Sequence, residues 1–168
     1  TRQFKARGYN VSRCVNCRIS DKYCICRYKP DCNSNAAFLL LMWDDEVLKP
    51  SNTGRLIADL IEDTHAFIWQ RKELAPQLKQ LLNDDKYQPF VVFPKEYAND
   101  QQKVISQVPT LNSGKRPLFI LLDGSWREAK KIFRKSPYLE QFPVLSINLE
   151  NQDQRYRLRK GNGDDRLA

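Results

Sequence analysis

Pro117-Leu-Phe-Ile-Leu-Leu-Asp-Gly-Ser-Trp126 decides the fold. An apolar run with the length of a buried strand ends in a carboxylate, and from Trp126 onward the spacing of apolar residues becomes helical. Ser125 followed by Glu128 is a capping box, and a glycine at a tight turn needs no ligand to justify it. Capping leaves two residues unexplained: Asp123, a charge closing an apolar run, and Trp126 at the helix entrance. Strand ends in open α/β sheets are where ligands usually bind, so Asp123, Gly124, Ser125 and Trp126 read as a small-molecule site.

In the helix that follows, Arg127, Lys130, Lys131, Arg134 and Lys135 keep the spacing of one face, while Trp126, Ala129, Ile132 and Phe133 take the other. A solvated face usually mixes signs, whereas this stripe carries little acid, which favours contact with phosphate. The chain as a whole has a net charge of +8 and a pI near 9.3, and nucleic acid is the commonest partner of such a basic domain. A second cluster puts Arg155, Arg157 and Arg159 on one side if extended, although a charged edge strand would look the same.

Upstream, strand-like and helix-like segments alternate. Strands are expected at Ala36–Trp43, Ala66–Trp69, Pro89–Phe93, Pro117–Leu122 and Val144–Leu149. Helices are expected at Thr53–Glu62, Glu73–Leu82, Asn99–Gln107 and Trp126–Lys135. The alternation predicts an α/β fold, a mainly parallel sheet with helices on both faces. Pro50-Ser-Asn-Thr-Gly-Arg55 opens the first helix with several capping side chains, and an anion could dock there. Capping alone explains Ser51, Asn52 or Thr53 but not Gly54 and Arg55. The single histidine, His65, reads as structural.

The N-terminal part is chemically different. Cys14, Cys17, Cys24 and Cys26 fall in a segment poor in core-forming residues, Arg13 to Tyr28. Such a segment cannot order itself by burial, and a tetrahedral thiolate zinc site would supply the missing free energy. Disulfides compete with this reading, but thiols stay reduced in a cytosolic chain; Cys32 could also replace a member of the C-x-C half. The 168 residues fit one catalytic domain over 34–168 after a cysteine-rich segment over 1–33. No apolar run reaches membrane-spanning length and no signal-peptide pattern is present, so the cytoplasm is the expected compartment and a monomer the expected state. The first residue is not Met, which points to a trimmed product.

Taken in order, these motifs resemble the DTW-domain family. Asp123-Gly-Ser-Trp126 looks like its D-x-[TS]-W signature, and Lys49-Pro-Ser-Asn-Thr-Gly-Arg-Leu-Ile57 looks like its first-helix motif. The cysteine cluster, Val91-Val-Phe-Pro94 and Tyr156-Arg-Leu-Arg159 match in the same order, so the resemblance spans Arg13 to Arg159. It is closest to the bacterial tRNA-uridine aminocarboxypropyltransferases. The resemblance implies transfer of the 3-amino-3-carboxypropyl group of S-adenosylmethionine to N3 of a tRNA uridine, with release of methylthioadenosine. It also implies a SPOUT-like, knotted domain with the cofactor in the loops of the knot.

On that reading Asp123 is the candidate base for the uracil N3 proton, its rival role being electrostatic pairing with the sulfonium or the cofactor amino group. Thr53, Gly54 and Arg55 are expected at the cofactor carboxylate, Trp126 against the cofactor, and Phe93, Pro94 and Leu122 around its adenine. The basic stripe and Arg155, Arg157 and Arg159 are the expected tRNA contacts. This sequence departs from the family at Trp43, where many members have histidine, and at Ser125, where many have threonine. The family also usually continues past Ala168 into a further helix. Two other function classes fit the same residues: a zinc-stapled tRNA-binding protein without chemistry, and an S-adenosylmethionine-dependent RNA methyltransferase.

Overall fold

The computed structural model describes residues 10–49, 52–71, 73–111 and 114–147. Along these the chain runs β1 (Ala37–Met42), α1 (Gly54–Leu60), β2 (Thr64–Ile68), α2 (Pro76–Leu82), β3 (Tyr87–Val92), β4 (Val104–Ile105), β5 (Arg116–Asp123), α3 (Trp126–Arg134) and β6 (Val144–Leu145). The strands form one sheet in the order β2-β1-β5-β3-β6-β4. Every pairing in it is parallel.

Because side chains alternate along a strand, the register assigns each residue a face. Ala37, Leu39 and Leu41 lie beside Leu118, Ile120 and Leu122, and Val91 lies beside Ile120. This face packs on Leu78, Leu81 and Leu82 of α2 and on Ala129 and Ile132 of α3. Leu39, Leu41, Leu118, Ile120 and Ile132 are fully buried, and each such side chain contributes about 1.5–3 kcal/mol relative to exposure. On the opposite face Phe38, Leu40 and Met42 lie beside Phe119, Leu121 and Asp123. Here α1 approaches so closely that a Cβ on Gly54 would stand 3.2 Å from Leu40 Cδ1. Helices therefore cover both faces.

The N-terminal ends of the strands are tied together by Asp63. Its carboxylate accepts hydrogen bonds from the Tyr87 hydroxyl at 2.8 Å and from Arg116 Nη1 at 2.6 Å, with Lys86 Nζ at 3.5 Å and His65 Nε2 at 3.0 Å. Burial works to raise the Asp63 pKa, but Tyr87, His65, Lys86 and Arg116 together hold it below the ordinary carboxylate value. His65 thus belongs to a network at the opposite end of the sheet from Asp123.

Several boundaries differ from the sequence expectation, and one element differs in kind. No helix forms over Asn99–Gln107: a 3-10 turn covers Lys95–Tyr97, and Val104–Ile105 adds β4 to the edge of β6. Gln102 explains the override. Its buried amide Nε2 donates to the Leu139 and Phe142 carbonyls, both at 3.1 Å, and the β-branched pair that follows suits an edge strand. Helix α2 starts at Pro76, not Glu73, because proline is tolerated at the first helical turn and its ring restricts the residue before it. The strand expected at Val144–Leu149 is described only as Val144–Leu145, with residues 148–149 outside the described residues.

Candidate functional site

Strand β1 leads through α1 to β2 on one side of it, while its neighbour β5 leads through α3, past β3, to β6 on the other. The outgoing connections of these adjacent strands diverge, which makes their C-terminal ends a topological switch point, the place where open α/β sheets bind ligands. Asp123 sits there, in register with Met42 and tied to the residue just past β1 by the Trp43 N–H, which donates to the Asp123 carbonyl at 2.8 Å. The pleat turns the Asp123 side chain toward α1.

What holds the carboxylate is Asn52. Its Nδ2 donates to Asp123 Oδ2 at 2.7 Å, while its Oδ1 accepts the Arg55 backbone N–H at 3.1 Å. One amide thus caps α1 and fixes Asp123, a pair of tasks that an ionised aspartate could not share, since it has no donor, and that a hydroxyl would have to perform from a single atom. The sequence reads Asn52 as a capping candidate within the first-helix motif; its NH2 group is the signal for the second task. Gly54 is required by close approach: a Cβ there would lie 2.8 Å from Asp123 Oδ2 and 3.2 Å from Asn52 Oδ1. Thr53 is exposed, and the capping oxygen comes from its neighbour. The Arg55 guanidinium is engaged elsewhere, donating to the Asn16 carbonyl and lying 3.7 Å from Asp59 Oδ2.

On the other face of the same sheet edge lies an aromatic cluster. Phe93, just past β3, stacks on Trp126 with ring centres 5.4 Å apart and on Phe133 at 4.6 Å, and Tyr97 meets Trp126 edge-on at 5.6 Å. Tyr97 and Phe133 were not among the expected pocket residues; a 3-10 turn and a helix bring them in, and no local pattern signals it. Pro94 leads from Phe93 into that turn. Leu122, by contrast, points into the α2/α3 side of the core rather than toward Asp123. Ser125 donates its N–H at 2.7 Å and its hydroxyl at 2.6 Å to Glu128 Oε2, completing the capping box at the start of α3. Burial tends to raise the Glu128 pKa, but the two Ser125 bonds, Lys49 and Lys131 hold it below its usual value. A Cβ on Gly124 would lie 3.1 Å from Glu128 Cβ and 3.3 Å from Trp43 Cβ, so this glycine too is set by close packing.

Helix α3 divides as its spacing required, with Ala129 and Ile132 buried and Arg127, Lys131, Arg134 and Lys135 exposed. Lys130 is half-buried, its Nζ 5.7 Å from the Tyr97 ring centre and 5.8 Å from Trp126. Lys131 Nζ lies 4.8 Å over Trp43, which stacks on Trp69 at 5.3 Å. Arg155, Arg157 and Arg159, like Pro50 and Ser51, lie outside the described residues.

Cys14, Cys17, Cys24 and Cys26 converge, their four sulfurs all within 4.8 Å of one another. Cys14 and Cys26 are 3.6 Å apart and Cys17 and Cys24 3.9 Å. A tetrahedron with metal–sulfur bonds of about 2.3 Å has edges of roughly 3.8 Å, so the set fits a metal ion, whereas a disulfide needs a separation near 2.05 Å. The turn that makes the first pair is closed by the Arg18 N–H donating to the Cys14 carbonyl at 2.9 Å, with Arg18 in the left-handed region at φ 60°. Backbone amides of Cys17 and Asn16 lower the Cys14 thiol to about 6, whereas hydrogen bonding to Cys24 and Cys14 pushes Cys26 up to about 12. Cys32 stands exposed, outside the cluster.

A cleft of about 200 Å³ separates the cysteine segment from α1, and one of about 180 Å³ opens beside Tyr97 and Phe133. No helix of the described residues is long and apolar enough to cross a membrane. No solved structure matches the chain. A family model does match, the DTW domain, over residues 11–168. With the Asp-Gly-Ser-Trp turn at the divergence of β1 and β5 and a matching family model over most of its length, the chain belongs to the DTW domain family.

Proposed function

We propose that this protein transfers the 3-amino-3-carboxypropyl group of S-adenosylmethionine to N3 of a uridine in tRNA, releasing methylthioadenosine, and that its cysteine segment holds a structural zinc ion. The observation that carries the reading is Asp123, a carboxylate set at the divergence of β1 and β5 and clamped by Asn52 beside Gly54. Membership of the DTW family supports the identity of both substrates. A knotted, SPOUT-like path of the chain is part of the same proposal.

The sulfonium supplies three activated carbons, and the one in line with the nucleophile determines the product; positioning sets the outcome. In the reaction a bond forms between uridine N3 and the propyl carbon, the carbon–sulfur bond breaks, its electron pair stays on sulfur, and the N3 proton leaves. Asp123 accepts that proton. The bond from Asn52 to Oδ2 fixes the orientation in which the carboxylate meets the substrate. Gly54 lets the carboxylate lie against α1; Thr53 at the start of α1 flanks the cofactor carboxylate, and Arg55 joins it by exchanging the Asn16 carbonyl and Asp59 for that carboxylate. Phe93, Pro94, Leu122 and Trp126, with Gly124 and Ser125 shaping the turn, form the apolar side that excludes water. Lys130 and Lys131, with Arg127, Arg134 and Lys135, present phosphate contacts along α3, and Arg155, Arg157 and Arg159 are further phosphate contacts in the same proposal.

The test is mass spectrometry of tRNA incubated with the protein and labelled S-adenosylmethionine. Methylthioadenosine as by-product supports the proposal; S-adenosylhomocysteine would make the protein a methyltransferase, and no by-product with tight tRNA binding would make it a binding protein. Asp123→Ala is expected to abolish turnover while tRNA affinity stays within a few fold.

A further inference from the structure

Tyr23 and Tyr28 project from the cysteine segment with 66% and 68% of their surface exposed. Each ring carries a cation: Lys22 Nζ lies 5.5 Å from the Tyr23 ring centre and the Arg27 guanidinium 4.7 Å from that of Tyr28. An exposed aromatic face beside a cation is how proteins hold unpaired nucleotides, the ring stacking on the base and the cation meeting phosphate. From residue 10 to residue 33 five cations, Arg13, Arg18, Lys22, Arg27 and Lys29, stand against two acids, Asp21 and Asp31. Asp21 is already engaged by the Ser12 hydroxyl. Four thiolates around a divalent metal would themselves call for neighbouring cations, but not for exposed rings.

The position of the segment matters equally. Tyr28, Lys29 and Pro30 form one wall of the cleft whose other wall is Leu56 and Leu60 of α1. Arg55 of that helix reaches across to the Asn16 carbonyl, and Asn52 at its start holds Asp123. The segment is therefore fixed beside the helix that carries the candidate site, and an RNA strand leaving that site along α1 meets it next.

We propose that the cysteine segment is a second RNA-binding surface, on which Tyr23 and Tyr28 stack unpaired nucleotides whose phosphates meet Lys22, Arg27 and Lys29. The inference rests on the proposed function for the source of the RNA, but the surface chemistry requires only a single strand.

The metal-loaded full chain is titrated against a labelled single-stranded oligouridine of about 10 nucleotides and against a fully paired RNA duplex. Replacing both tyrosines, Tyr23→Ala with Tyr28→Ala, should weaken single-strand binding at least about tenfold and change duplex binding less than about twofold. Tyr23→Phe with Tyr28→Phe should bind as wild type, because stacking needs the ring and not the hydroxyl. Lys22→Gln, Arg27→Gln and Lys29→Gln together should reduce the slope of log affinity against log salt by about 2. An alanine pair that binds like wild type, or a phenylalanine pair as weak as the alanine pair, overturns the proposal. If the alanine pair loses its metal, photo-crosslinking of wild type to 4-thiouridine-containing RNA decides: adducts at Tyr23 or Tyr28 are expected, and adducts confined to other segments refute the surface. A chain that releases no methylthioadenosine yet shows the tyrosine effect keeps this surface and loses the transferase reading; an active chain indifferent to both tyrosines does the reverse.

Discussion

Gly54→Ala separates the geometry of the candidate site from the stability of the fold. The added methyl would stand 2.8 Å from Asp123 Oδ2, with Asn52 Oδ1 and Leu40 Cδ1 each at 3.2 Å. Ordinary carbon–oxygen contacts lie at roughly 3.3 Å or beyond, so the carboxylate must yield by about 0.5 Å. It can do so by rotating, which lengthens or breaks the 2.7 Å bond from Asn52. The cost in folding is therefore modest. Alanine gains up to about 1 kcal/mol over glycine in a helix, and crowding of this kind costs about 1–3 kcal/mol. The net loss is between nothing and about 3 kcal/mol, or a fall of no more than roughly 12 °C in Tm for a chain this size. Catalysis feels the same displacement far more: a misplacement of about 1 Å costs on the order of a hundredfold, so about 0.5 Å should cost tenfold or more. Methylthioadenosine release measured beside a thermal melt reads both quantities. Turnover within twofold of wild type, with an unchanged Tm, would refute the claim that Asp123 must lie against α1 to work.

Asp63→Asn should flatten the acid limb of stability. A carboxyl whose folded pKa is depressed stabilises fully above the unfolded value of about 3.9 and loses that contribution as pH falls through the folded value; melts from about pH 2 to 7 that superimpose for both proteins would show that the network is inert. Freshly reduced protein should contain one zinc ion per chain, reduced by Cys17→Ser and unaffected by Cys32→Ser, as metal analysis will show. Reversing the charge of Lys130, Lys131 and Arg134 together should weaken tRNA binding and lower its salt slope by about 2–3; a binding titration at several salt concentrations that gives wild-type values leaves α3 a plain solvated surface. Asn52→Asp should lower turnover at least tenfold and lower Tm at neutral pH, because it keeps the cap on α1 but sets a like charge against Asp123, and a melt and turnover both like wild type would show that Asn52 does not hold the carboxylate.

How much of this was readable in the sequence follows from the range of each interaction. Apolar run length, the helical spacing of α3, the Ser125–Glu128 box and the convergence-ready spacing of Cys14, Cys17, Cys24 and Cys26 are local, and all reappear in the structure. The helix expected at Asn99–Gln107 failed because a distant contact, Gln102 on the carbonyls of Leu139 and Phe142, outweighed a weak local preference. Asn52 was underread for the same reason, since its partner Asp123 is 71 residues away.

By itself the sequence determined most of the strand and helix segments, Asn99–Gln107 excepted, that four thiols lie close enough in the chain to share a metal, and that one aspartate ends an apolar run. The order β2-β1-β5-β3-β6-β4 was decided only in three dimensions, and with it the divergence of β1 from β5. So was the sharing out of the site residues, which places Asp123, Asn52 and Gly54 on one side of the sheet edge and Phe93, Tyr97 and Trp126 on the other. The physical reason is that periodicity and capping are set within a few residues, whereas strand order and register minimise exposed apolar area over the whole chain at once.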